Sequence, residues 1–125
     1  MNATQPAELL RAVGELTAAL PGRVQAHDDP AGVLVQITGI PLSERWTPRT
    51  GTLWFLVPFH YPDAAIYPYY VTAATPTGGV TAGLQEIQWR NAVAIQVSLR
   101  HHRWNPKLDT ALGSALQAQA WLAAH

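Results

Sequence analysis

The 125-residue chain predicts an α+β fold: an opening helix, an antiparallel meander of about four strands, an irregular segment and a closing helix. Three observations lead there. Apolar residues recur at helical spacing near the start, alternate with polar ones through the middle, and return to helical spacing at the end. Strands that follow one another through short loops pair most simply as antiparallel neighbours. No repeat, linker or low-complexity tract divides the sequence, so it reads as one domain, long enough to bury a core.

The first helix is expected from Pro6 to Leu20, with Thr4 as its N-cap and Leu9, Leu10, Val13, Leu16 and Leu20 on its apolar side. Pro21-Gly22 ends it. A short strand over Arg23 to Ala26 and a tight turn at Asp28-Asp29-Pro30-Ala31-Gly32 come next. Val33 to Ile40 alternates as a strand should, with Val33, Val35 and Ile37 on one face. Pro41 to Gly51 reads as a loop carrying an exposed Trp46, and Thr52 to Phe59 as a dense strand. Tyr67 to Ala73 is a strand entered through a proline, as suits a strand start or an edge. Thr75 to Gly83 is a flexible loop, and Val93 to Leu99 a further strand. Asp109 to Ala124 closes the chain as a helix, with Asp109 as N-cap and Leu112, Leu116, Gln119 or Ala120, and Leu122 toward the core.

Composition narrows the function classes. The chain is 48% hydrophobic and only 13% charged, and its eight basic and eight acidic residues cancel. That balance supplies no basic face for nucleic acid or an anionic membrane. So little charge suggests that a partner covers part of the surface. Zero cysteines remove disulfides, thiolate metal sites and any cysteine nucleophile. No cofactor signature is present, and no His, Asp or Glu spacing suits a metal. Met1 to Pro6 lacks the pattern of a secretion signal, and no apolar run approaches the roughly 18 residues of a membrane span. A cytoplasmic protein is the expectation.

Four motifs in order carry a family resemblance. Gly39-Ile-Pro41 precedes Gly51-Thr-Leu-Trp-Phe55; Tyr61-Pro62 follows; then come Pro68-Tyr69-Tyr70-Val71 with Thr75, and finally Trp104-Asn105-Pro106 before the last helix. This order resembles the ubiquitin-conjugating (UBC-like) fold over nearly the whole chain. Trp104-Asn105-Pro106 is similar to the family's Trp-Ser-Pro turn, which follows its catalytic cysteine. Two departures stand out. The family's His-Pro-Asn triplet has no match between Thr75 and Ile95, and Ala73 stands where a phenylalanine is usual. The cysteine normally lies eight residues before the tryptophan, which falls on Gln96 here, or on Ser98 if the turn is two residues shorter. The run from Gln96 to Asp109 is closer to the cysteine-poor prokaryotic branch encoded beside ubiquitin-like proteins, ThiF-type activating enzymes and JAB-type metallopeptidases. That resemblance implies a role in bacterial ubiquitin-like modification, in some cases linked to antiphage defence.

The residues themselves leave more than one chemistry open. Thioester transfer needs a nucleophile that ionises near neutral pH, as cysteine does and serine does not. Ser98 could instead accept a ubiquitin-like C-terminus as an oxyester, with His101 or His102 as base and Arg100 beside the carbonyl. The plainer alternative is an ordinary polar serine on the exposed side of a strand. Arg100, His101, His102 and Arg103 form a basic knot that is either an anion-binding surface or a solvated turn. Trp104 serves to cap the core. With Gln96, Trp89 and Trp46 it is also a candidate binding residue, since large aromatics in loops close a core or meet a partner.

The leading expectation is a UBC-like pseudoenzyme, an adaptor for the ubiquitin-like protein or its activating enzyme. The alternatives are an oxyester-forming transferase through Ser98, and an α+β protein-binding module whose likeness to UBC domains is architectural alone.

Overall fold

The computed structural model describes residues 6–98 and 103–125. Its elements are α1 (Ala7–Ala19), β1 (Val24–Asp29), β2 (Gly32–Pro41), β3 (Trp46–Thr47), β4 (Thr50–Pro58), β5 (Tyr69–Thr72), β6 (Thr75–Pro76), β7 (Leu84–Trp89), β8 (Ala92–Val97) and α2 (Ala111–Ala124). The α+β class, the opening helix, the antiparallel sheet and the closing helix match expectation. The number of strands does not.

Six strands form the main sheet in the order β1-β2-β4-β5-β8-β7, every neighbouring pair antiparallel. β3 and β6 pair separately, Trp46 opposite Pro76 and Thr47 opposite Thr75. β7, β3 and β6 fall in segments that sequence reasoning left as loops, and β7 alone of these belongs to the main sheet. Its apolar residues Leu84, Ile87 and Trp89 fall on both faces, so no period of two is visible. As an edge strand it needs only one satisfied neighbour.

Alternating burial along β4, with β2 in register beside it, fixes which face meets the helices. Val33, Val35 and Ile37 sit opposite Val57, Phe55 and Leu53, and all six are buried. Tyr69 and Val71 of β5 and Ile95 and Val97 of β8 extend that face. Leu9, Ala12 and Leu16 of α1 and Ala111, Ala115, Ala118 and Leu122 of α2 cover it. Leu10, counted with the apolar side of α1, is 51% exposed.

The closing helix differs from expectation in two respects. Its buried stripe runs through small residues, Ala111, Ala115 and Ala118, while Leu116 is 47% exposed. Alanines take the first turns of the stripe and Leu122 the last, while Leu116 turns aside. Its N-cap is Thr110, whose Oγ1 accepts from the Gly113 N–H at 3.0 Å. Asp109 serves the preceding turn instead, its Oδ2 accepting from the Asn105 N–H. Thr110→Ala is therefore expected to lower stability by about 1 kcal/mol in a denaturant titration. At α1 the N-cap is Pro6, with no side-chain cap; Thr4, the expected cap, lies outside the described residues.

Trp46 is the clearest correction. It belongs to β3, is 2% exposed, and joins the core cluster. Leu42 and Ser43 on the approach are buried as well, and the Ser43 N–H donates to Leu122 O at 3.0 Å, which draws this segment down onto α2. Among the described residues no helix is long and apolar enough to cross a membrane.

Candidate functional site

Two of the separated motifs meet in space. The Trp104 Nε1–H donates to Pro62 O at 2.7 Å, and its ring lies 6.3 Å from that of Tyr61. The Tyr61 hydroxyl accepts from the Ala111 N–H at 2.9 Å, satisfying one of the amides that every helix start leaves unpaired. Asn105 ties the turn between them: its carbonyl accepts from the Leu108 and Asp109 N–H groups, and its side-chain oxygen from Lys107 N–H. Burial pushes the Tyr61 phenol above its ordinary pKa, against the opposing hydrogen bond from Ala111. Burial likewise raises Tyr69, opposed by a hydrogen bond with Ser114. Both phenols stay neutral and hold their partners through physiological pH.

The sheet face turned away from the helices carries the other candidates. By the register of β5, β8 and β7, Gln96 lies between Tyr70 and Gln85 on this face. Ser98, next on the same side of the strand, is exposed; its N–H donates to Gly83 O at 2.8 Å and its hydroxyl receives the Gln96 amide at 3.5 Å. Arg100, His101 and His102, the expected base and anion-stabilising groups, lie outside the described residues. Arg103 is exposed.

A line of aromatic rings crosses the same face. Trp54 of β4 stacks on His27 of β1 at 6.1 Å, and meets Trp89 of β7 edge-on at 5.4 Å. Trp89 stacks on Tyr70 of β5 at 4.5 Å, with the Arg90 guanidinium 5.1 Å from the indole. Thr72 Oγ1 fixes Trp54 by accepting from its Nε1–H at 2.8 Å, and Gln36 holds His27 at 3.1 Å. Beyond the rings, Arg90 reaches Asp29 at 2.8 Å. The Ala31 N–H and then Arg90 hold the Asp29 carboxyl below the usual carboxylate range. Its contribution to stability is therefore present above that range and fades as the pH falls through it.

No family model, curated protein or solved structure matches the chain.

The residues singled out from the sequence thus divide. Gln96, Ser98 and Trp89 share the helix-free face, while Trp104 packs on Tyr61 at the head of α2 and Trp46 is committed to the core. Among the described residues no group of three or more His, Cys, Asp or Glu could hold a metal. His27, Trp54, Tyr70, Asp29 and Arg90 were missed. Trp54 carried little signal, because its phase of β4 also holds Leu56 and Pro58 and the strand reads as apolar on both faces. The ion pair carried none, since its partners are 61 residues apart.

Proposed function

We propose that the chain is a UBC-like binding subunit of a ubiquitin-like modification pathway, without thioester chemistry, that engages the ubiquitin-like protein or its ThiF-type activating enzyme. The observation that carries this reading is the lock between Tyr61-Pro62 and Trp104-Asn105-Pro106 at the head of α2. Two motifs that suggested the family separately pack as one unit, which a chance coincidence of short motifs has no reason to do. The low charge and the uncharged row of Gln85, Gln96 and Ser98 beside Tyr70 suit a protein contact more than a nucleic-acid one.

Ser98 supports the transferase alternative by its exposure alone; its described side-chain neighbour is an amide, which is no base. The test is intact mass after incubation with a ubiquitin-like protein, a ThiF-type enzyme and ATP, with Ser98→Ala in parallel, followed by size-exclusion chromatography. Co-elution without a mass change, equal in the variant, is the expected result. An adduct of one modifier that Ser98→Ala abolishes would replace the adaptor reading with an oxyester-forming transferase. Neither co-elution nor adduct would leave an α+β module outside this pathway.

A further inference from the structure

The two turns joined by Arg90 and Asp29 sit at diagonally opposite corners of the sheet. Gly32 pairs with Pro58, so the β1–β2 turn lies beside the end of β4, whereas the pairing of Ile95 with Val71 and of Val71 with Leu53 sends the β7–β8 turn toward the start of β4. Across a flat sheet, the five strand spacings between β1 and β7 alone amount to about 24 Å. Right-handed twist coils one pair of opposite corners toward one face, and here both bend over the face that the helices leave free.

The β7–β8 corner has little else to hold it. The pairing of β8 with β5 stops at Ile95, and Ala73, at φ 65°, turns the chain away. Beyond that point the hairpin is a two-stranded ribbon: Ile87 opposite Ala94, Gln88 opposite Val93, Trp89 opposite Ala92, and a turn at Arg90 and Asn91 with φ of 51° and 67°. Such a ribbon is at best marginally stable by itself. What pins it is at its tip, in the ion pair to Asp29 and in Trp89 lying on Tyr70 and against Trp54. On this face Leu34 is 5% and Ala94 2% exposed, although the helices pack on the other side.

We propose that this ribbon is a hinged strap. It pivots where its pairing with β5 ends, between the closed arrangement described here and an open one in which Arg90 leaves Asp29 and Trp89 leaves Tyr70. Opening uncovers an uncharged aromatic floor of Trp54 and Tyr70, while the helix-facing core stays intact. Units held by few buried contacts open well before the whole molecule unfolds. The inference stands whether or not the chain belongs to a ubiquitin-like pathway.

Native-state hydrogen exchange on the full chain tests it, comparing the parent with Asp29→Asn and Arg90→Gln. In the parent the backbone amides from Ile87 to Ala94 should exchange at least roughly tenfold faster than those of β2 and β4, and both variants should speed them further. Ribbon amides protected as strongly as those of β2 and β4 would mean that the tip opens only with the whole fold, and would overturn the strap. So would an unchanged profile in the variants, which would mean that the tip is held without the ion pair.

Discussion

Gly32→Ala is expected to lower the unfolding free energy by about 3 kcal/mol or more, one of the largest effects open to a single methyl group in this chain. A Cβ at that position would lie 2.1 Å from Val57 O and 2.9 Å from the Pro58 Cα. Both are backbone atoms of the neighbouring strand, so no side chain can swing aside. The residue also sits at φ 156°, which L side chains rarely adopt. Relief would require separating β2 from β4 at the pairing of Gly32 with Pro58, beside the turn where Asp29 accepts from the Ala31 N–H. A denaturant titration read by circular dichroism measures the loss. Gly14, where a Cβ would meet nothing within 4 Å, supplies the control position. A midpoint for Gly32→Ala within error of the parent would show that the two strands can part there without cost.

The second large effect falls on the motif lock. Trp104→Ala is expected to cost about 3 kcal/mol, the low end for deleting a packed aromatic because the indole is half-buried. It removes the ring from Tyr61 and strands the Pro62 carbonyl. Trp104→Phe keeps most of the packing and loses the hydrogen bond, so about 1 kcal/mol is expected. A double-mutant cycle of Trp104→Ala with Tyr61→Ala then asks whether the two motifs act as one unit. Because Tyr61 both touches the indole and receives the Ala111 N–H, the two losses should fall short of additive. Strict additivity would mean that the motifs are merely adjacent, and the family reading would lose its main support.

How much of this could be read beforehand follows from what each element depends on. β2 and β4 are dense apolar runs bounded by turn residues, and both strands were placed to within two residues. β7 hides because an edge strand tolerates mixed faces, and β3 and β6 are two residues each, too short to show any period. The rotation of α2 was missed because alanine carries little hydrophobic weight in a sequence pattern. Trp46 was misread for a related reason: its prolines and polar neighbours look like an exposed loop, and only pairing with Thr75 and Pro76 turns the indole inward. At the candidate site, Gln96 and Ser98 were singled out by counting back from Trp104, and their place on the outer side of the strand follows from local alternation. The aromatic line was not legible, since it assembles rings from β1, β4, β5 and β7 through the coil of the whole sheet.

The contact between Arg90 and Asp29 has a consequence for the order of assembly. Its partners sit at the tips of the two outermost strands, Asp29 ending β1 and Arg90 just past β7, so they meet only after every intervening strand has found its neighbour. Closing so large a loop early is entropically expensive, and contacts of that kind form late. The pair therefore belongs to the downhill side of the folding barrier: it retards escape from the native state and leaves the rate of reaching it almost untouched.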